Sequence, residues 1–69
     1  MSDAVQNIDE LKTRVKKLNA QATQAKMDLH DLSEELPTNW ETILEVAQKA
    51  FDAHKALTAA RKELAAAGA

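Results

Sequence analysis

The sequence predicts an all-α fold, in which residues 1–69 form one antiparallel two-helix hairpin that dimerises into a four-helix bundle. Three observations lead to this prediction. Apolar residues recur every three or four positions in both halves of the chain, and a single proline separates the halves. Of the 31 apolar residues, 14 are alanines, so only 17 larger side chains remain to build a core. A domain of this length buries only about 60% of its unfolded surface, and the chain has no cysteine for disulfides, so we expect a second subunit to complete the core.

The first helix is predicted at about residues 4–36. Asn7 followed by Glu10 is a capping-box arrangement that marks an early turn of this helix. Neither glycine nor proline interrupts the pattern, and the intervening positions are mostly polar. The apolar positions follow heptads typical of a helix with one buried seam: Ile8, Leu11, Val15, Leu18, Ala22, Ala25, Leu29, Leu32 and Leu36.

Pro37 ends the first helix, because proline cannot continue a helix and disfavours helical geometry at the preceding residue. We predict a turn at residues 37–39, a capping box formed by Thr38 and Glu41, and a second helix over about residues 39–67. The connection is so short that the second helix must fold back antiparallel on the first.

The turn sets a register between the two predicted helices. Ala25 then lies level with Phe51 and Ala22 with His54, so small residues of the first helix leave room for large residues of the second. A two-fold dimer would cover the seams that a single hairpin leaves exposed. Twelve positions are predicted to form the core and the dimer contacts: Leu11, Val15, Leu18, Ala22, Ala25, Leu29, Leu32, Ile43, Ala50, Phe51, Leu57 and Leu64.

Charge is distributed unevenly along the predicted hairpin. From Asp28 to Glu45 the chain carries six acidic residues and no lysine or arginine. Two hairpins with their turns at opposite ends would place acid against base, so the charges favour that arrangement, although each exposed pair contributes roughly a few tenths of a kcal/mol. The open end gathers basic residues from both helices: Lys12, Arg14, Lys16, Lys17, Lys55, Arg61 and Lys62.

Composition and motifs argue against several classes of function. We expect no enzyme, because the chain has no nucleophile with a nearby base and no glycine-rich phosphate loop. No apolar run approaches the roughly 18 residues of a membrane span, and residues 1–3 do not begin a signal peptide. The absence of cysteine fits a cytoplasmic location. The net charge of −2 argues against nucleic-acid binding driven by overall charge.

Two segments carry a resemblance to a known family: ATQAKMDLHDL at residues 22–32 and LPTNWE at residues 36–41. They resemble very small helical-hairpin proteins, labelled Rop-like, that are encoded in nitrogen-fixation gene clusters and have no established function. The resemblance implies a dimeric four-helix bundle with an accessory role in nitrogenase assembly or metal handling. The main functional hypothesis is therefore a non-enzymatic dimeric adaptor in nitrogenase maturation, with a protein of that assembly pathway as its partner.

A divalent transition metal is the one cofactor candidate, and a metal carrier or sensor is the second hypothesis. His30 and Glu34 are four residues apart and project from one helical face, where they can supply two ligands. The alternative for His30 is a plain surface contact with that carboxylate. His54 has no carboxylate four residues away, so a metal there needs a ligand from another helix. The alternative for His54 is a half-buried side chain hydrogen-bonded to Gln21 or to its dimer mate.

Trp40 stands at the predicted start of the second helix, beside the acidic turn. It either closes the end of the bundle as an apolar plug or anchors a protein partner, with Asp31 and Glu35 as acidic neighbours in the interaction surface. RNA binding like that of Rop is a third hypothesis. The basic cluster of the first helix invites it, but that helix carries no aromatic side chain for stacking.

Overall fold

A computed structural model of the chain describes residues 2–68, with side chains from residue 8 onward. Within this range two long helices, α1 (Ser2–Glu35) and α2 (Ile43–Ala66), pack against each other, and no strand occurs. One turn of 3-10 helix (Trp40–Thr42) precedes α2. The hairpin is a rod of 55 × 13 × 13 Å. The predicted all-helical hairpin is therefore confirmed.

The turn between the helices is held by side-chain hydrogen bonds. Asn39 adopts a left-handed backbone conformation (φ 64°), which asparagine tolerates better than most residues. Its Nδ2 donates to Glu35 Oε1 at 2.9 Å, which ties the turn back to the end of α1. The Thr42 hydroxyl donates to the Asn39 carbonyl at 2.8 Å. The Leu36–Pro37 peptide bond within this turn is cis.

The predicted capping box of Thr38 and Glu41 does not form. Thr38 lies inside the turn, where its N–H donates to the Glu35 carbonyl at 3.0 Å, and Asn39 occupies the N-cap of the 3-10 segment. The second α-helix starts only at Ile43, and its N-cap residue makes no side-chain cap hydrogen bond. The capping side chain predicted for the first helix, Asn7, lies outside the described side chains.

The core between the helices is a narrow seam rich in alanine. Because most of its buried side chains are methyl groups, the helices can pack closely, and among the described side chains Leu32 and Leu57 are the two buried leucines. Ala60 was not among the twelve predicted core positions, yet it is completely buried. Among residues 8–68, five apolar residues are buried: Ala22, Leu32, Ala50, Leu57 and Ala60. Six predicted core residues are partly buried: Leu11, Val15, Leu18, Ala25, Ile43 and Leu64. Leu29 was predicted for the core but is 37% exposed, because it faces the groove that α1 and α2 leave open.

Two polar contacts near the open end define the register. Arg14 Nη1 lies 3.9 Å from Glu63 Oε2. Arg61 Nη2 donates to Asn19 Oδ1 at 3.3 Å. Counting along both helices from these contacts places Ala22 at about the level of Leu57. A small residue of α1 therefore lies level with a large residue of α2, as the sequence predicts. The large residue is Leu57, however, and not the predicted His54.

Phe51 and His54 do not fill the space beside Ala25 and Ala22, so this part of the prediction is wrong for the hairpin. Phe51 is 63% exposed and His54 is exposed as well. The apolar stripe of α2 is wide, and the part that turns toward α1 consists of the buried alanines and Leu57. Phe51 and His54 lie on the other part, which α1 leaves uncovered.

Candidate functional site

An apolar groove of about 780 Å³ runs along the side of α2 that α1 leaves uncovered. Phe51 stands within it, with small residues on the side toward the open end of the hairpin. Two lysines, Lys55 and Lys62, form part of its lining. The groove is lined by Leu29, Ala47, Ala50, Phe51, His54, Lys55, Thr58, Ala59 and Lys62.

The groove continues toward the turn as a row of exposed apolar side chains. Leu44, Ala47 and Phe51 follow one another along α2 at intervals of three and four residues, which places them on one helical face. Trp40 lies in the 3-10 turn that precedes this helix. Leu44 is 83% and Trp40 is 62% exposed. Contiguous apolar surface of this kind on a small protein marks an interaction site. We call these residues, together with the groove lining, the exposed apolar face.

The three residues predicted for protein interaction have different surroundings. Trp40 is exposed, so within the hairpin it does not act as a plug that closes the end. Glu35 accepts the Asn39 hydrogen bond and so helps to form the turn. Asp31 lies beside His30 on α1, with Oδ1 4.0 Å from His30 Nδ1.

His30, Asp31 and Glu34 form an exposed cluster near the end of α1. His30 Nδ1 lies 3.4 Å from Glu34 Oε1, and donor atoms of all three residues lie within 4.8 Å of one another. These carboxylates lie near the C-terminal end of α1, which is the negative end of the helix dipole. Because the last turn of α1 has no basic residue of its own, a bound cation is favoured there. Nitrogen and oxygen donors of this type suit a divalent transition metal.

This cluster differs from the predicted set of metal ligands. Asp31 joins His30 and Glu34, whereas His54 lies in the groove and is not part of the cluster. The sequence argument paired His30 with Glu34, four residues away on the same helical face, and assigned Asp31 to the interaction surface instead. Asp31 joins the cluster because its neighbour in the chain, His30, turns its ring nitrogen toward it.

At the open end, two of the basic residues engage polar groups of the opposite helix. Arg14 pairs with Glu63, and Arg61 donates to Asn19. These side chains therefore contribute contacts between the two helices in addition to positive charge at the surface. In the part of the chain that the structure describes, neither helix has a stretch apolar and long enough to cross a bilayer.

The fold and this surface together define a class of protein: a small helical hairpin with a narrow alanine-rich seam and an uncovered apolar face. A sequence model of the Rop-like family matches residues 6–69. The chain therefore belongs to the Rop-like family, as its two resembling segments indicate.

Two curated relatives and one solved structure are similar to this chain. A UPF0437 protein of Azorhizobium caulinodans is 57% identical over 58 residues, which cover 84% of each chain. A UPF0437 protein of Frankia alni, described as lying in the nifX-nifW intergenic region, is 51% identical over 41 residues, or 59% of this chain and 50% of that protein. An NMR structure from a structural genomics consortium superposes with a TM-score of 0.81 at 55% identity, covering 87% of this chain and 84% of the other. None of these names states an enzymatic activity.

Proposed function

We propose that this protein is a non-enzymatic accessory protein of nitrogen fixation that works as a dimeric adaptor in nitrogenase maturation. The observation that carries the proposal is the exposed apolar face, because it offers a surface for other chains. The position of the Frankia alni relative between two nif genes supports the link to nitrogen fixation. A cytoplasmic location fits this role.

The shape of the hairpin supports the dimer. Its Cα radius of gyration is 15.8 Å, whereas a compact chain of this length is expected near 11 Å. Its accessible surface is 5310 Å², about 1,000 Å² above the roughly 4,300 Å² expected for a compact monomer of this size. A second hairpin packed on the groove part of the exposed apolar face turns the pair into a four-helix bundle and removes this excess.

The acidic turn end supports the adaptor role. Trp40 is a large exposed anchor, and the carboxylates Asp31, Glu34 and Glu41 near this end are exposed too. Tryptophan is enriched among the residues that dominate binding energy at interfaces. The partner that fits this end is a protein of the nitrogenase assembly pathway that presents an apolar pocket rimmed by lysine or arginine.

The dimer is tested by measuring mass in solution, with analytical ultracentrifugation over a range of concentrations. We expect the wild type to sediment as a dimer and Phe51→Ala to raise the dissociation constant roughly 100- to 1,000-fold, since two copies each lose the burial of one aromatic ring. Met27→Ala is the matched control, because Met27 is 55% exposed but lies outside the groove. A monomeric wild type would refute the dimer.

The adaptor role is tested by affinity capture from nitrogen-fixing cells, followed by binding measurements with each purified candidate. We expect a nitrogenase assembly protein to bind the wild type and Met27→Ala alike, and to bind Trp40→Ala at least about tenfold more weakly. An interaction of equal strength with the wild type and both variants would count against Trp40 as the anchor. Failure of every purified assembly protein to bind would count against the adaptor role.

A metal carrier or sensor is the second candidate function, and the observation that favours it is the His30–Asp31–Glu34 cluster. Native mass spectrometry with nickel, iron(II) or zinc tests it. We expect stoichiometric uptake that His30→Ala abolishes and His54→Ala preserves, since His54 lies outside the cluster. The absence of uptake by the wild type would refute this candidate.

A further inference from the structure

We infer that the turn end of the hairpin binds a basic amphipathic helix of the partner protein. Trp40 and Leu44 pack against the apolar stripe of that helix, and Glu41 and Glu45 pair with lysine or arginine at the edge of the stripe. The inference rests on the proposed adaptor function and adds the structural form in which the partner presents its apolar and basic groups.

The turn end carries two large apolar side chains that the hairpin leaves exposed. Trp40 is 62% and Leu44 is 83% exposed. Neither residue is part of the groove lining, so a second hairpin packed on the groove leaves both for another occupant. Side chains of this size contribute strongly to binding when a partner removes them from water.

A glutamate follows each of these two apolar residues. Glu41 comes directly after Trp40, and Glu45 directly after Leu44, so an apolar and acidic pair repeats at an interval of four residues. The first pair belongs to the 3-10 turn and the second to the first turn of α2, about 6 Å further along. All four residues are exposed. The turn end therefore presents two apolar side chains with a carboxylate next to each.

The repeat matches the period of a helix better than that of a strand. On a helix, residues three or four positions apart share a face, and the residue next to an apolar position lies about 100° away, at the edge of that face. Lysine or arginine at the edge can then reach Glu41 and Glu45. In a strand, the neighbours of an apolar residue point to the opposite face, away from these carboxylates. The space between apolar side chains one turn apart on the partner helix receives Trp40.

The charge of the turn end favours a cationic occupant. With neutral histidine, residues 28–45 carry a formal charge of −6, whereas the rest of the chain, with nine basic and five acidic residues, carries +4. None of the ion pairs within residues 8–68 involves Glu41. Glu45 Oε1 lies 3.4 Å from Lys49 Nζ, but this pair is exposed and weak, so a partner cation can compete for the carboxylate. The same negative charge repels the phosphates of a nucleic acid or an anionic membrane.

Trp40 is its own reporter for a binding experiment. It is the single tryptophan of a chain without tyrosine, so intrinsic fluorescence reports on the turn end alone. The probe is a synthetic helical peptide of about 18 residues, or five turns, with a leucine stripe, lysines along its edges and no aromatic residue. One matched peptide carries glutamate in place of lysine, and another has the same composition in an order that destroys the stripe.

We expect the lysine peptide to shift the emission of Trp40 to shorter wavelength, because the indole ring leaves water. The glutamate peptide and the reordered peptide should leave the emission unchanged. A shift of equal size with either matched peptide, or no shift with the lysine peptide, would overturn the inference.

Leu44→Ala tests the apolar contact and keeps the fluorescent reporter. It should weaken binding of the lysine peptide about tenfold or more, because the burial of a large aliphatic side chain is lost. Met27→Ala is the matched control, since Met27 is 55% exposed but lies on α1 before the acidic turn end, and its affinity should equal that of the wild type. Equal affinities for Leu44→Ala and Met27→Ala would contradict a contact at Leu44.

Glu41→Gln/Glu45→Gln tests the charged contacts. The double variant should bind the lysine peptide about 2- to 30-fold more weakly at low salt, and the difference should shrink at high salt. Asp9→Asn/Asp52→Asn removes the same charge from exposed positions outside residues 28–45, so it should bind nearly as the wild type does. Equal losses in the two double variants would show that overall charge, and not the two glutamates, attracts the peptide.

Photo-crosslinking to the captured partner distinguishes this inference from the adaptor proposal. The chain has no cysteine, so Thr38→Cys accepts one photoreactive group at an exposed position of the turn. Mass spectrometry of the crosslinked assembly protein should identify a basic segment with apolar residues at helical spacing. A crosslink to an acidic segment, or to a second hairpin, would overturn the inference and leave the adaptor role standing. Failure of every assembly protein to bind would overturn both.

Discussion

The turn half and the open half of the hairpin differ in almost every surface property. The turn half is acidic, lacks lysine and arginine from residue 28 to 45, and exposes Leu44 and Phe51. The open half is rich in lysine and arginine and exposes small residues such as Thr58. Each half therefore carries what the other lacks. A hairpin built in this way complements a reversed copy of itself.

The largest loss of stability in the turn half is expected from a cavity in the buried seam between the helices. Leu32 is 6% exposed, and we expect Leu32→Ala to lower the free energy of unfolding by about 2–5 kcal/mol, because burial is lost and a cavity remains. Urea denaturation at one fixed protein concentration measures the change, since the stability of a dimer depends on concentration. Met27→Ala removes a side chain that is largely exposed and should shift the value by less than about 0.5 kcal/mol. Equal effects would mean that Leu32 is not a core residue in solution.

The corresponding test of the open half places a larger side chain in the buried seam between the helices. Ala60 is 0% exposed, so Ala60→Leu forces a larger side chain between the helices and should cost about 1–3 kcal/mol. Ala20→Leu is the control on the opposite helix, because Ala20 is exposed and lies outside the groove. Thermal unfolding followed by circular dichroism measures both variants. Stabilisation by Ala60→Leu would show that the two helices pack less closely than the structure indicates.

The turn itself depends on the left-handed conformation of Asn39. We expect Asn39→Ala to cost about 1–2 kcal/mol, because a Cβ without a compensating hydrogen bond is strained at this φ, and the hydrogen bond to Glu35 is lost as well. Asn39→Gly keeps the conformation at no steric cost and should be closer to the wild type. The two midpoints of thermal unfolding should then differ by several degrees, about 4–8 °C per kcal/mol. Equal midpoints for Asn39→Ala and Asn39→Gly would show that a Cβ at this position causes no strain.

The smallest expected effect comes from the charges that distinguish the two halves. Lys16→Glu should weaken the dimer by about 0.2–1 kcal/mol at low salt, because opposed turns would place the basic part of one α1 beside the acidic segment that contains Asp31 in the other hairpin. Asp31→Lys on the same chain should restore the affinity by exchanging the two charges. Ultracentrifugation at 20 mM and 500 mM salt measures the series, and the differences should shrink at high salt. A weaker double variant would show that these residues are not close to each other in the dimer.

Much of this architecture follows from local properties of the chain. The heptad spacing and Pro37 predict two helices and a reversal between them, because helical periodicity and the geometry of proline act within a few residues. The start of α2 could not be predicted as well, since Thr38 and Glu41 look like a capping box but Thr38 is used inside the turn. His30 and Glu34 were expected to meet because they are four residues apart, and they do.

Residue spacing alone predicts the apolar stripes on both helices and the separation of acid from base along the hairpin. Which part of each stripe is buried depends on how the two helices pack. The stripe on α2 is wider than one neighbouring helix can cover, so the burial of Leu57 and Ala60 leaves Phe51 and His54 outside. Periodicity cannot make this choice, because residues at both edges of a stripe share the same spacing. The choice depends on the angle at which α1 approaches α2, which the turn and the alanine-rich seam determine together.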